Sequence, residues 1–315
     1  MFFILTTGRS GSTSIARTLN KVDKCYGIHE PTPELILESS GYHYGKISPE
    51  SIRKLLHETR CPTINSEIYC ESNQTLSLII PELVAVFPQA RFIWLVRNGL
   101  DVVASAYQKQ WYSGHSENHS TYEACPPLEK VWIDGRVRAD LAGDMSEVKW
   151  HALNRFEKCC WYWSYINRII EKDLNRHAAD RFFTLRLEDM PHTMPELLSW
   201  MGLTTTAGNK LPPVERANIA KRIPFHWTNW SLEQHQAFGR YCGTEMDKFY
   251  PSWMDVTGET GRLLMAPIIF NLTQMIKEQQ SKAENIQSEL TAIRNNRFWK
   301  IAQHCMHPFF RRDAT

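Results

Sequence analysis

The chain has 315 residues, 43% hydrophobic and 22% charged, which excludes a disordered polymer and is too long for a minimal domain yet short for two full ones. Thirty-six basic residues nearly cancel 34 acidic ones, leaving a net charge of +2, so no global field advertises a nucleic-acid partner. No stretch approaches the roughly 18 apolar residues of a spanning helix, and the eight cysteines include no Cys-x-x-Cys pair, so neither a zinc site nor a disulfide framework is expected.

In chain order, Phe2–Thr7 reads as a buried strand, followed by a Gly/Ser-rich turn and a helix over Ser12–Leu19. Phe2-Phe3-Ile4-Leu5 stops at Thr6 with no charged region before it, so a reduced, cytoplasmic protein is expected, and the Asn-x-Ser/Thr sequons carry little weight. A second short strand is predicted at Cys25–His29, with Pro31 and Pro33 forcing a break before the next helix. Ser48-Pro49-Glu50 is an N-cap with proline at the first helical position, opening a helix that runs to Thr59. Pro62–Tyr69 reads as strand and Leu76–Phe87 as helix. Arg91–Arg97 (RFIWLVR) is the clearest strand, aromatic and β-branched and bounded by Pro88 and Asn98-Gly99.

A helix starts near Asp101, and a polar stretch holding Trp and His residues runs from Gln108 to Trp150. An amphipathic helix follows at Leu153–Leu174, then a strand at Arg181–Leu187 and helices at Leu197–Gly202 and Leu232–Lys248. Strands alternating with helices predict an α/β domain, a central parallel sheet with helices on both faces.

The tail differs. Ile269, Leu272, Ile276, Gln279, Ala283, Ile286, Leu290 and Ile293 follow heptad spacing in a polar helix. That seam fits a homodimeric coiled coil or a long helix packed on its own body. Beyond it, Arg294, Arg297, Lys300, Arg311 and Arg312 outnumber Asp313 and alternate with Phe298, Trp299, Phe309 and Phe310. Such a tail is either solvated or a peripheral contact with anionic lipid at the inner membrane surface. The expected division is a main domain over residues 1–262, the heptad helix over 263–298 and the basic, aromatic tail over 299–315.

The chemistry concentrates in Thr7-Gly8-Arg9-Ser10-Gly11-Ser12-Thr13, between the first strand and first helix. Glycines there let the backbone curl so that successive N–H groups face one anion, and the helix N-terminus adds its positive end. Arg9 adds a cationic fork, and Ser10, Ser12 and Thr13 add hydroxyls. This is phosphate-loop physics without a Walker A motif, since Gly8 and Gly11 are three apart and no Lys precedes Ser12. The plain alternative is an ordinary strand–helix turn. Arg97, at the carboxyl end of the RFIWLVR strand, and Ser105, in the first turns of the next helix, suggest a second anion site on the same sheet edge. Two separated cradles fit a nucleotide phosphorylated at two places.

Phe3–Leu19 (FILTTGRSGSTSIARTL) and Arg91–Tyr107 (RFIWLVRNGLDVVASAY) resemble the two cofactor signatures of sulfotransferases that use 3′-phosphoadenosine 5′-phosphosulfate (PAPS). Arg155–Ile170 (RFEKCCWYWSYINRII) and Phe182–Met190 (FFTLRLEDM) resemble the bacterial branch, which is related to the carbohydrate and tyrosylprotein branches, and the likeness runs over residues 2–255. It implies a P-loop-like three-layer fold, after which comes the long C-terminal helix read from the heptad spacing. It also implies that Arg9, Ser10, Gly11, Ser12, Thr13 and Ser14 hold the 5′-phosphosulfate and Arg97 and Ser105 the 3′-phosphate. No metal is required. Glu30 in Ile28-His29-Glu30-Pro31 aligns with the acidic base of the carbohydrate and tyrosylprotein branches, and His29 is its local rival, an unperturbed imidazole being the better base near neutrality. The alternative for Glu30 is a cap on the helix after Pro33. Glu71-Ser72-Asn73 departs from the pattern, standing where relatives often carry Lys or Asp.

The resulting expectation is sulfuryl transfer to a hydroxyl of a glycan, glycolipid or small metabolite. Two rivals stand beside it: a nucleotide kinase with a degenerate phosphate loop, and a non-catalytic nucleotide-binding or assembly protein working through the heptad helix. Trp111, Tyr112, His115 and His119 open a stretch that either stacks on the acceptor or packs as a lid. Trp161, Tyr162 and Trp163 are expected in the core, Cys159-Cys160 as buried filler, and Arg186 and its acidic neighbours as an ion pair.

Overall fold

A computed structural model describes residues 1–61, 68–113, 125–203, 225–254 and 259–295, with the backbone alone for 259–273 and 293–295. Five parallel strands, β1 (Phe2–Leu5), β2 (Cys25–His29), β3 (Ile68–Ser72), β4 (Arg91–Val96) and β5 (Phe182–Arg186), form one sheet in the order β2-β3-β1-β4-β5. Phe2 of the central strand stands opposite Cys70 on one side and Arg91 on the other. Because side chains alternate across a strand, a sheet covered on both faces needs apolar residues at every position. That is why FFIL and RFIWLV run without polar interruption.

Phe3, Leu5, Phe92 and Trp94 face one layer, packed by α3 (Pro49–Thr59), α4 (Ile80–Val86), α5 (Gly99–Gln108), α8 (Arg155–His177) and α10 (Leu232–Phe249). Phe2, Ile4, Ile93 and Leu95 face the other, covered by α1 (Ser12–Leu19) and α9 (Met190–Met201). The remaining helices are α2 (Ile36–His43), α6 (Pro127–Asp134), α7 (Glu147–Ala152) and α11 (Glu259–Asn295). The α/β class is as the alternation predicted.

Departures from the predicted elements have local causes. The single helix predicted at Leu76–Phe87 is a 3₁₀ turn, Gln74–Leu78, followed by α4. Pro81 lacks an N–H and is tolerated only in a first turn, so the helix restarts there. Helix α8 begins at Arg155 because Asn154 and Glu157 form a reciprocal capping box. The predicted strand at Pro62–Tyr69 is placed as β3, and residues 62–67 lie outside the described residues, as do His115 and His119.

Helix α11 touches α10 and the Trp227–Asn229 turn, and its heptad positions Ile276, Ile286 and Leu290 are 57%, 59% and 47% exposed. Among the described residues no helix is long and apolar enough to cross a membrane.

Parallel strands bring their carboxyl ends to one edge. The loop after β1, Glu30 after β2 and Arg97 after β4 therefore meet there.

Candidate functional site

The loop after β1 is clamped at its start: Thr6 N–H donates to Ser77 Oγ, and the Ser77 hydroxyl donates to the Thr6 carbonyl, both at 3.0 Å. Gly8, Arg9 and Gly11 then take left-handed conformations, at φ 75°, 54° and 83°. Such a run turns consecutive N–H groups toward one concavity, at the mouth of which α1 presents its N-terminus. The positive φ at Gly8 favours glycine, and a Cβ there would stand 2.2 Å from Gln74 Oε1, so that side chain would have to move away. Arg9 holds the left-handed conformation without that freedom, a strained backbone of the kind that gathers at functional sites. The Ser10 hydroxyl donates to the Gly8 carbonyl at 3.0 Å and lies 2.9 Å from Thr7 Oγ1, so it braces the loop from inside. Ser12 and Ser14 are buried in the first turn of α1 beside half-buried Thr13.

The two predicted anion segments are joined directly. Arg9 Nε donates to Ser105 Oγ at 3.0 Å, and Arg97 Nη1 donates to the Arg9 carbonyl at 2.9 Å. Trp163 Nε1 donates to the Arg97 carbonyl at 3.2 Å, fixing that strand end to α8. Asp101 accepts from Arg97 Nη2 at 3.3 Å. Burial and the nearby Arg97 charge push the Arg9 guanidinium below its ordinary value, with Glu30 acting the other way. Two cations held this close favour a polyanion between them.

Glu30 follows β2 in a left-handed conformation, φ 45°, and its N–H donates to the Ser72 carbonyl at 3.0 Å. Gln74 Nε2 donates to Glu30 Oε1 at 3.4 Å, so one glutamine touches both the carboxylate and the Gly8 turn. Burial raises the Glu30 carboxyl above the usual carboxylate range, with a smaller push from Glu34, against His29, the Gln74 hydrogen bond and Arg9. His29 Nδ1 lies 3.1 Å from the Ser72 carbonyl, which can only accept, so that nitrogen carries the proton. Its Nε2 lies 3.7 Å from Glu30 Oε2. The helix-cap alternative for Glu30 is not what the structure holds: α2 has Leu35 at its N-cap and no side-chain cap.

The turn bearing Glu30 rests on a buried ion pair that sequence reasoning missed. Arg60 Nε and Nη2 donate to Glu71 Oε2 and Oε1 at 2.9 and 3.1 Å, with both side chains essentially inaccessible. Tyr69 donates to Glu71 Oε2 at 2.9 Å, and Arg60 Nη2 also reaches the Pro33 carbonyl at 2.8 Å and that of Pro31 at 3.5 Å. Asn73 Nδ2 and Thr75 Oγ1 hold the Glu34 carbonyl at 3.2 and 2.8 Å. The departure at Glu71-Ser72-Asn73 therefore does structural work under the Glu30 turn. A glutamate inside an apolar strand was the available signal.

Trp111 and Tyr112 pack inward, their rings 5.3 Å from Tyr162 and 5.4 Å from Trp150, which matches the lid alternative. Trp161 and Trp163 are core residues, as are Cys159 and Cys160. Tyr162 is buried in the same core, as expected, and one side of it also borders a small cavity beside Gln74 and Arg136. Arg186 pairs with Asp189 as expected, with Nε to Oδ2 at 2.5 Å. Among the described residues no group of three His, Cys, Asp or Glu side chains is placed to hold a metal.

Comparison with known proteins adds a family. The family model described as "Sulfotransferase family" matches residues 44–207, just over half of the chain. The match includes Arg97 and Ser105 and leaves Arg9 and Glu30 outside it. No curated protein matches the chain significantly. Among solved structures the chain is similar to the sulfotransferase domain from the curacin biosynthetic pathway, at 16% identity and TM-score 0.42, covering 65% of this chain and 75% of that one. It is also similar to the sulfotransferase domain of the Synechococcus PCC 7002 olefin synthase, at 15% identity and TM-score 0.42, with 76% and 94% covered. A sulfotransferase from Alicyclobacillus acidocaldarius matches at 13% identity and TM-score 0.39, with 76% and 94% covered.

Proposed function

Since the chain belongs to the sulfotransferase family, we propose that it moves a sulfuryl group from PAPS to the hydroxyl of a glycan, glycolipid or small metabolite in the cytoplasm. The observation that carries this reading is the Arg97–Arg9–Ser105 linkage, which ties a phosphate-type loop to a second cationic strand end. The left-handed turns at Gly8, Arg9 and Gly11 and the paired guanidiniums fit a nucleotide with anionic groups at two places.

Arg9, Ser10, Gly11, Ser12, Thr13 and Ser14 would hold the 5′ end and Arg97 with Ser105 the 3′-phosphate. Bound there, PAPS supplies the electrophilic sulfuryl group and a phosphate as leaving group. The protein's share is position and charge. Arg9 and the loop N–H groups oppose the negative charge that grows on the 5′ side. Glu30 takes the proton of the acceptor hydroxyl, its buried carboxyl raised toward the basicity that task needs. Gln74 holds that carboxylate toward the loop.

The 3′-phosphate assignment has a direct test. Arg97→Ala should weaken adenosine 3′,5′-bisphosphate by roughly tenfold to a hundredfold, the loss of one or two charged hydrogen bonds. Adenosine 5′-phosphosulfate, which lacks the 3′-phosphate, should lose far less. Calorimetric titration of both ligands decides it: equal losses would remove Arg97 from that role.

A further inference from the structure

Helix α11 carries an exposed apolar seam. It touches α10 and the Trp227–Asn229 turn, yet every side chain described on it, from Gln274 to Ala292, is exposed. The seam positions in that stretch are Ile276, Gln279, Ala283, Ile286 and Leu290, set in alternating steps of three and four residues. The outer positions between them are polar: Lys277, Glu278, Ser281, Glu284, Asn285 and Ser288. Two seam residues in every seven make a narrow stripe, the pattern of a helix that meets another helix. A face laid on a globular body is wider by a third apolar position. The stripe is also poorly suited to an anionic lipid surface, because Glu278, Glu284 and Glu289 outnumber Lys277 and Lys282.

A second copy of this chain matches the seam position for position. Set parallel and in register, each seam side chain meets its own kind. Gln279 then meets Gln279, where each amide can both donate and accept. A polar residue at one seam position fixes register in this way, at some cost in stability. Lys282 faces the neutral Gln287 of the second copy, and Glu289 is matched in the heptad by Arg294. Set antiparallel with the seams fully overlapped, Gln279 meets Ala283, which offers its amide nothing, and Lys282 meets Lys282.

We propose that residues 269–293 of α11 pair with the same residues of a second copy in a parallel, two-stranded coiled coil, and that Gln279 fixes its register. At about 1.5 Å per residue the paired seam is about 36 Å long. The pairing is independent of the chemistry at the sheet edge, since it uses neither the nucleotide loop nor Glu30.

The test weighs the full chain by sedimentation velocity across a concentration series. The wild type should reach twice the mass of one chain. Ile286→Lys and Leu290→Lys should each bring a twofold fall in mass while the main domain keeps its unfolding transition, because both side chains are exposed in the single chain. Orientation is read from Ile286→Cys under oxidised glutathione. A parallel pair sets the two substituted positions together and yields a disulfide-linked dimer, seen on a non-reducing gel, that the wild type lacks. A wild type that stays at the mass of one chain at every concentration would overturn the proposal, and so would association that survives Ile286→Lys. A single chain that instead floats with phosphatidylglycerol vesicles would overturn it in favour of lipid. A dimer that Ile286→Cys fails to link would overturn the parallel register.

Discussion

Glu30→Gln should lower kcat by roughly 10²- to 10⁴-fold, the usual worth of a positioned general base, while adenosine 3′,5′-bisphosphate still binds and the fold persists. Glutamine keeps the shape of the side chain, so the loss reports the proton acceptor. The pH profile carries a second signature. The carboxyl must be ionised to act, and burial raises it, so activity should fall on the acid side at a pH above the ordinary glutamate value of about 4.3. His29→Ala should keep that acid limb and cost less, because the imidazole is tied to the Ser72 carbonyl through Nδ1. Should His29→Ala abolish turnover while Glu30→Gln spares it, the roles of the two neighbours are reversed.

The second large effect is on folding. Removing one partner of the Arg60–Glu71 pair leaves a charge buried with nothing to oppose it, at a cost of about 3–5 kcal/mol. Arg60→Met and Glu71→Leu should each show that loss in urea denaturation. The double variant should recover much of it, because apolar replacement of a whole buried pair is often close to neutral. Turnover should not recover with it, since Arg60 also holds the Pro31 and Pro33 carbonyls beside Glu30. A single variant losing under 1 kcal/mol would show the pair to be dispensable, and a double variant with wild-type turnover would show that it does not position the turn.

How legible this protein is from its sequence varies with the range of the interaction. Strands β1, β2 and β4 announce themselves as short apolar runs between turn residues, and Ser48-Pro49 and the 12–19 segment as helix starts, because those signals are local. The Gly8–Thr13 loop and Arg97 are legible for the same reason, as is their common sheet edge once the strands are read as parallel. The contacts that hold the edge together are not local. Arg9 meets Ser105 across 96 residues, and Gln74 meets Glu30 across 44, and neither pairing leaves a trace in spacing. Arg136 was hidden differently. An arginine between Gly135 and Val137 has no pattern of its own, and its stacking on Trp111 at 3.6 Å spans 25 residues of chain. Trp161, Tyr162 and Trp163 were legible as core because amphipathic periodicity reports which helix face turns inward.

The most direct measurement on the central claim is a thermal-shift titration of the purified chain with adenosine 3′,5′-bisphosphate, against AMP and against ATP with Mg²⁺. A ligand at 100 times its dissociation constant stabilises a fold by about 2.7 kcal/mol, enough to read clearly. The account predicts selective stabilisation by the bisphosphate, lost in Arg9→Ala and Arg97→Ala. Stabilisation by ATP with Mg²⁺ alone, or by none of the three, would contradict it.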